Sequence, residues 1–476
     1  MGGTPSVNLG YHEQICQNYF SVQMSGSDRF RLILAPEDIK NITRNVLNSI
    51  WLIQKEESQL GFIEFKLQGT PWYSSGEDDL NVKYFLCSLL QAYYQQGWFL
   101  KASTDLERQS SETDVLFFQK NIPIKTSVIC LSLNSTDKIR VLAPENIYPL
   151  IKHSVVTSWP KGIQRERMFD KSYEIKLYGN PWTDWSRDSS ESFDIPILIL
   201  ELMRNLFRNG WEFLGAIDSG KRQTSLNALY FRYAPDEINK NDIENTRFFA
   251  MSLNKSDRVR LHRADEDLKS LLTNPNYGMQ SLWQKGIQNQ KIVNNAYEFK
   301  LSGNPWDSSG DEAVESRRLL NDLFNLFSRY GWSLYGTCDL TKSETNKSTF
   351  FFRTKPIEPK HLVNFCVSLN ETDKIRLIGG NPSLTQEVKE AILQGWQKGI
   401  QEESNYYGSD QIKLRGYPFS TTGADKVYTC VMMTLILNNL EKKGFKLLCS
   451  ADVSQKYYSD DNNRYPVDLH SWFFEN

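Results

Sequence analysis

The chain repeats itself four times, and this repetition constrains its fold more than any other feature of the sequence. The pattern Lys-Leu-x-Gly-x-Pro, followed by Trp or Phe, occurs at 66–72, 176–182, 300–306 and 413–419. Positions that recur in every copy report what the repeated unit itself requires. We therefore divide the chain into a leader at 1–17 and repeat units at 18–122, 123–240, 241–358 and 359–476.

The hydrophobic pattern of each copy predicts the same order of elements. Two short apolar strands flank a polar turn, which is typical of a β-hairpin. Ile151, Val155 and Trp159 then form one apolar stripe at helical spacing. A strand, a longer second helix and two final strands complete the order ββαβαββ. Five strands with two helices on one face predict an α+β two-layer unit with an antiparallel or mixed sheet and its own core. Both separate beads and a packed ring remain open.

Composition excludes several kinds of partner. The net charge is −2 and the pI is near 6.3, so no basic field exists to hold nucleic acid. No apolar run approaches the roughly 18 residues that a membrane span requires. Seven Cys occur without a CxxC pair, which favours reduced thiols and a cytoplasmic location.

The leader carries a possible lipidation signal at Gly2. Residues 1–6 read Met-Gly-Gly-Thr-Pro-Ser and match the N-myristoylation pattern. The alternative is a leader of small residues with no modification. A single acyl chain would provide at most weak membrane association.

Two cationic positions recur in every unit and predict a ligand site. They are an Arg on the second strand and a Lys before the Gly-x-Pro turn: Arg31, Arg140, Arg260, Arg376, Lys66, Lys176, Lys300 and Lys413. One hypothesis places each Arg and Lys in a pocket that receives a carboxylate or phosphate. The alternative uses them to cap a helix or pairs them with the Asp that recurs after each Gly-aromatic pair: Asp105, Asp218, Asp339 and Asp452.

Two further recurring positions have structural and functional interpretations. Trp72, Trp182 and Trp306 follow the Pro of the turn, and Phe419 replaces them in the last copy. An exposed Trp there could stack on a sugar, a base or a peptide, whereas a buried one would fill the gap between sheet and helix. A recurring Gln is predicted to close the first helix: Gln54, Gln164, Gln288 and Gln401.

The sequence contains few features that indicate a catalytic site. The five His share no repeat position, and the common nucleotide-binding, hydrolase and zinc-protease motifs do not occur. We predict no catalytic residue, no cofactor and no metal. The last unit departs from the others through a longer hairpin at 454–468, which predicts either a cap or a special contact.

A resemblance to a known group of proteins rests on the repeated motifs and on the segment Tyr-Pro-Val-Asp-Leu-His-Ser-Trp-Phe-Phe at 465–474. From about Phe20 onward the chain resembles a group of uncharacterised eukaryotic tandem-repeat proteins. The resemblance implies an intracellular eukaryotic protein. That family has no established activity, so it transfers no site residues.

Three functions follow as expectations. The first is a non-enzymatic scaffold that binds unknown protein partners through several similar units, because linked sites raise avidity. The second is a protein that binds a small ligand or a glycan through the Gly-x-Pro-Trp loops. The third is an enzyme with a cleft between units.

Overall fold

The fold is taken from a computed structural model. It describes residue 16 and residues 18–59, 61–107, 113–183, 190–222, 226–237, 245–341, 347–356, 364–460 and 463–476. The possible lipidation site at Gly2 lies outside these residues.

Each unit forms one antiparallel sheet of six strands. In unit 1 these are β1 (Tyr19–Ser25), β2 (Arg29–Ile33), β3 (Ile53–Gln59), β4 (Phe62–Leu67), β5 (Trp98–Thr104) and β6 (Val115–Lys120). In unit 2 they are β7 (Val128–Asn134), β8 (Lys138–Leu142), β9 (Ile163–Phe169), β10 (Ser172–Leu177), β11 (Trp211–Ile217) and β12 (Ala228–Tyr233). In unit 3 they are β13 (Phe248–Asn254), β14 (Arg258–His262), β15 (Ile287–Val293), β16 (Ala296–Leu301), β17 (Trp332–Cys338) and β18 (Thr349–Thr354). In unit 4 they are β19 (Phe365–Asn370), β20 (Lys374–Ile378), β21 (Ile400–Tyr406), β22 (Ser409–Leu414), β23 (Lys446–Ala451) and β26 (Asp468–Glu475), with β24 (Tyr457–Asp460) and β25 (Asn463–Pro466) forming a separate hairpin.

The helices follow the second and fourth strands of each unit. They are α1 (Glu37–Ile50) and α2 (Glu77–Gln95) in unit 1, α3 (Tyr148–Ser158) and α4 (Ser190–Arg208) in unit 2, α5 (Glu266–Thr273), α6 (Met279–Leu282) and α7 (Asp311–Arg329) in unit 3, and α8 (Pro382–Gly395) and α9 (Ala424–Lys442) in unit 4. The turn after the fourth strand is a short 3₁₀ helix at Pro71–Tyr73 and Pro305–Asp307. No helix in the described ranges is both long enough and apolar enough to cross a bilayer.

The α+β class and the four tandem units are confirmed, but each sheet has one strand more than predicted. Unit 1 has the order β3-β4-β2-β1-β6-β5, and the unexpected strand is β3 at the sheet edge. Its counterparts β9, β15 and β21 also form edges. These strands are largely polar and exposed, so they lack the apolar alternation that identifies a strand in a sequence.

The four units pack as a closed ring. At its centre the fifth strands meet in succession, β5 against β11, β11 against β17, β17 against β23 and β23 against β5. The second helix of each unit also packs against the first strand of the next: α2 on β7, α4 on β13, α7 on β19 and α9 on β1. Because α9 returns to β1, the last unit closes the circle on the first.

Ring packing joins the cores of neighbouring units. All seven residues of β1 are buried, because one face meets the helices of unit 1 and the other meets α9. Tyr19 and Phe117 of unit 1 accordingly belong to the hydrophobic cluster of unit 4. The prediction that each unit has its own core is therefore corrected: each core includes residues from the following sheet.

A Trp at the end of the first helix fixes that helix to the Gly-x-Pro turn in every unit. Its indole Nε1–H donates to a backbone carbonyl just before the turn Gly: Trp51 to Gln68 at 2.8 Å, Trp159 to Tyr178 at 3.0 Å, Trp283 to Ser302 at 2.9 Å and Trp396 to Arg415 at 2.8 Å. A recurring Trp in this position is thus explained by one repeated hydrogen bond.

Candidate functional site

The recurring Arg of the second strand is buried and hydrogen-bonded within its own sheet. Its Nε donates to a side chain on the fourth strand: Arg31 to Glu64 at 2.5 Å, Arg140 to Glu174 at 2.9 Å, Arg260 to Glu298 at 2.7 Å and Arg376 to Gln411 at 2.8 Å. None of the four Arg residues is more than 7% exposed. They do not line an open anion pocket, and these partners differ from the Asp partners that the alternative hypothesis gave them.

The Arg–Glu pairs lie on the sheet face that meets the preceding unit. The guanidinium of Arg260 lies 4.0 Å from the ring centroid of Phe193, which belongs to α4 of unit 2. Burial disfavours the charged form of Glu174, yet hydrogen bonds from Arg140 and Arg167 outweigh it and hold the pKa of this carboxyl below its ordinary value. These charges are therefore part of the packing between units.

The recurring Lys residues lie further out, at the turn that joins the first two strands. Lys66, Lys176 and Lys300 are partly exposed and approach a turn Asp at 4.0, 3.6 and 3.7 Å. Lys413 lies opposite Lys374 in the ladder. Because the Arg of each unit is buried with its own partner, the structure does not bring Arg and Lys together in a shared ligand pocket.

The recurring Trp of the turn is a core residue. Trp72 is 1% exposed and Trp182 and Trp306 are 0% exposed. Each indole N–H donates at 3.0 Å to a carbonyl on the second strand. The interpretation of these rings as an exposed stacking surface is thus corrected, because no ring face is accessible.

The backbone of the same turn holds the next unit. Lys221 in unit 2 donates its backbone N–H to the carbonyl of Trp72 at 2.7 Å. Gln455 in unit 4 makes the equivalent bond to Trp306 at 2.8 Å. The Gly-x-Pro-Trp turn thus connects unit 1 to unit 2 and unit 3 to unit 4.

The recurring Asp after the fifth strand shapes the loop that follows it. Asp105, Asp218 and Asp452 each accept a backbone N–H two residues further on, at 2.9, 2.9 and 3.0 Å. Such bonds are typical of Asx turns. This Asp position is therefore structural in those three units.

A buried carboxyl joins units 1 and 2 close to the ring centre. Asp114 Oδ2 accepts from Ser103 Oγ at 2.6 Å and from the backbone N–H of Asp218 at 2.9 Å. Burial, with the nearby charge of Asp218, raises the pKa of Asp114 to about 7. Burial and Asp339 likewise raise the pKa of Asp452 to about 8.

The recurring Gln does not close the first helix, as the sequence predicted, but forms a β-bulge at the start of the missed strand. In unit 3 Ile287 pairs with Leu301 and Asn289 with Lys300, so Gln288 has no partner opposite it. The same irregularity occurs at Gln54, Gln164 and Gln401. A bulge on an edge strand discourages pairing with another chain.

Ser–His pairs form in two units, Ser252 with His262 in unit 3 and Ser450 with His470 in unit 4. Ser450 Oγ lies 2.9 Å from Nδ1 of His470, and burial lowers the pKa of the imidazole. In the described parts of the chain, no group of three or more His, Cys, Asp or Glu is placed to hold a metal ion.

A cavity of about 820 Å³ lies between units 2 and 3. Unit 2 contributes the end of α3 and the start of α4, and unit 3 contributes Arg263 and the β15–β16 hairpin. Asp194 of α4 and Lys152 of α3 line it. This cavity could not be predicted from the repeated motifs, because it depends on residues that differ among the four copies.

The Glu that pairs with the buried Arg was also missed, although the sequence contained a signal for it. Glu64, Glu174 and Glu298 each stand two residues before the recurring Lys. Residues two apart on a strand share one face, so the strand alternation would have placed Glu and Lys on the same side.

No curated protein and no solved structure matches the chain. A model of one domain family matches it four times, at residues 18–119, 127–232, 247–353 and 364–475. These segments cover most of the chain and coincide with the four sheets. The chain therefore belongs to this domain family and consists of four copies of its domain.

Proposed function

We propose that the protein is a rigid multivalent scaffold that binds protein partners through the outer surface of its ring. The observation that carries the proposal is the ring itself. It directs the exposed edge strand of every unit outward, while the fifth strand of the same sheet is held at the centre. Several surfaces at fixed spacing raise avidity without a strong single contact.

The four outer surfaces share a position but differ in chemistry. Their edge strands present Lys55, Arg165, Lys291 and Glu402 among the exposed residues. This variation favours one extended partner that touches different units, or several partners, over four copies of one small partner.

A cytoplasmic location in a eukaryotic cell forms part of the proposal. It is supported by seven buried, free Cys, which fit a reducing compartment. The glycan-binding alternative loses its main support, because the Trp rings of the turns are buried.

The test uses the intact chain as bait and maps each captured partner by cross-linking. Charge reversals are then introduced on one, two, three and four edge strands as Lys55→Glu, Arg165→Glu, Lys291→Glu and Glu402→Lys. We expect cross-links to at least two units and a loss of affinity that grows with each added reversal. Lys125→Glu, in the exposed link between units 1 and 2, is the matched control. Cross-links confined to one unit, with no effect of the other reversals, would exclude multivalent binding.

A further inference from the structure

The junction between units 2 and 3 leaves a cavity open. The cavity has a volume of about 820 Å³, within the range of small-molecule sites. Its apolar wall includes Val156 and Ile197, and polar side chains from both units complete it.

At the junction of units 1 and 2, the β9–β10 hairpin closes onto α2. Lys171 of the hairpin donates to Asn81 at 2.9 Å, and its ammonium lies 4.9 Å from the ring centroid of Tyr84. The equivalent groove of unit 1, lined by Trp51, Leu52 and Asn81, has a volume of about 380 Å³.

The junction of units 3 and 4 is also closed. The hydroxyl of Tyr406 accepts from the backbone N–H of Gly310 at 3.1 Å, and Arg318 donates to the carbonyl of Gly408 at 2.9 Å. Between units 4 and 1, Tyr428 packs against the shared core that contains buried Leu34.

At the junction of units 2 and 3, other residues replace the Lys171–Asn81 pair that closes the junction of units 1 and 2. Asp194 stands where unit 1 has Asn81, and Asn295 stands where unit 2 has Lys171. Both line the cavity, and their side chains form no hydrogen bond or ion pair with any described residue. Val293 also replaces the aromatic ring that Phe169 and Tyr406 supply at this position in units 2 and 4.

The cavity offers one charge of each sign to an occupant. Asp194 is only partly solvated, and this burial raises the pKa of its carboxyl. Arg263 is about half exposed and approaches Glu201 only at 3.8 Å. Lys152 and Glu166, by contrast, already pair with each other at 2.9 Å.

The residue after the second strand has a left-handed backbone in three units. Its φ is +57° at Leu34 in unit 1, +59° at Arg263 in unit 3 and +80° at Gly379 in unit 4. Among these three positions, only unit 3 places a long cationic side chain, and this side chain lines the cavity.

We propose that the cavity between units 2 and 3 binds a small zwitterion, with its ammonium group at Asp194, its acidic group at Arg263 and its apolar body against Val156 and Ile197. An ammonium group would form an ion pair with the Asp194 carboxylate, which pairs within 4.0 Å with no cation among the described residues. An acidic group matches the planar donor face of Arg263. This site is independent of the proposed scaffold role.

The test is calorimetric titration of the full chain with ω-amino acids of increasing length: 4-aminobutyrate, 6-aminohexanoate and 8-aminooctanoate. Alkylamines and alkyl carboxylates of the same lengths serve as single-ended probes. We expect one length to bind best, at least about tenfold more tightly than either single-ended probe. No binding by any ω-amino acid, or equal binding by the single-ended probes, would overturn the proposal.

Two variants locate the site. Asp194→Asn and Arg263→Gln should each weaken binding of the preferred ω-amino acid about tenfold, because each loses one charged contact. Glu315→Gln, at the equivalent position of unit 3, removes a carboxylate outside the cavity and should leave binding unchanged. Circular dichroism establishes that the variants are folded. Unchanged binding by folded Asp194→Asn and Arg263→Gln would show that the ligand binds elsewhere.

Discussion

The buried Arg–Glu pairs show why a charge that recurs in a repeat need not mark a ligand site. Arg260 and Glu298 are each 1% exposed and lie 2.7 Å apart. Taking both charges out of water is unfavourable. Their mutual bond, the bond that Arg258 donates to Glu298 at 2.6 Å and the stacking of Arg260 on Phe193 must offset that penalty. Replacing only one residue of such a pair should therefore lower the stability of the fold strongly.

We expect Glu298→Ala to destabilise the protein by roughly 3–5 kcal/mol, because Arg260 would keep a buried charge after losing the Glu298 carboxylate. The double variant Arg260→Met/Glu298→Met should lose much less, since both charges are removed. Lys300→Met, at a partly exposed position on the same strand, is the control with little effect. Urea unfolding monitored by circular dichroism measures the differences. Equal losses in the single and double variants would contradict this account.

The buried carboxyl of Asp114 predicts a pH dependence. Its pKa is raised from 3.8 to about 7 in the folded protein. The folded state therefore holds a proton that the unfolded state releases, and stability falls as pH rises from about 4 to about 7. Asp114→Asn keeps an oxygen that can accept from Ser103 and from the Asp218 backbone, and it copies Asn227 of unit 2.

Asp114→Asn should match the wild type near pH 4 and become more stable than it at pH 8. The difference should reach at most about 4 kcal/mol, since one pKa unit corresponds to about 1.36 kcal/mol. Urea unfolding at both pH values measures it, with exposed Asp170→Asn as the control. A constant difference between wild type and Asp114→Asn across this range would exclude a buried titrating carboxyl.

At the scale of elements, the strands and helices with a regular apolar pattern could be predicted from the sequence. The polar edge strands could not. The strand ending at Leu67, Leu177, Leu301 and Leu414 was recognisable because apolar residues alternate and the Gly-x-Pro turn follows. The edge strands begin with Ile-Gln and continue with polar residues, so their identity depends on pairing that only the folded sheet provides. The recurring Arg could be recognised in the sequence. Identifying its partner on the fourth strand required the register in which β2 pairs with β4.

Removing the bulges should allow the exposed sheet edges to pair with edges of other chains. A variant that lacks Gln54, Gln164, Gln288 and Gln401 would extend a regular ladder to each exposed edge, which favours pairing with another chain. We expect concentration-dependent association in sedimentation velocity. Substitution of the same four residues by Thr keeps the bulges and should leave the protein monodisperse. A monodisperse deletion variant would show that the bulges do not protect the edges.

At the scale of the whole molecule, one unit is not a self-sufficient domain. The α9 helix is buried on nearly all sides, because it packs against unit 4 on one side and β1 on the other. Thr434 donates to Ser21 at 3.0 Å across this junction, and Trp472 donates to Thr104 at 3.1 Å. The sequence could not decide between beads and a ring, because an apolar helix surface does not identify which sheet covers it.

Deletion of residues 364–476 should therefore destabilise the three remaining units as well. It uncovers the faces of β1 and of α7 that unit 4 covers. We expect the intact chain to unfold in one calorimetric transition, and the shortened chain to aggregate or to melt at a lower temperature. A shortened chain with an unchanged melting temperature would indicate independent units.

The junction between units 4 and 1 uses the same helix-on-strand packing as the three junctions that the chain crosses in sequence. Covalent connection is therefore not what orders the units around the circle. Residues 121–127 suffice to join β6 to β7, and a link of similar length from β26 to β1 would span an equivalent gap. The fold thus permits circular permutation: a chain opened at 121–127, with β26 linked to β1, would retain all four junctions.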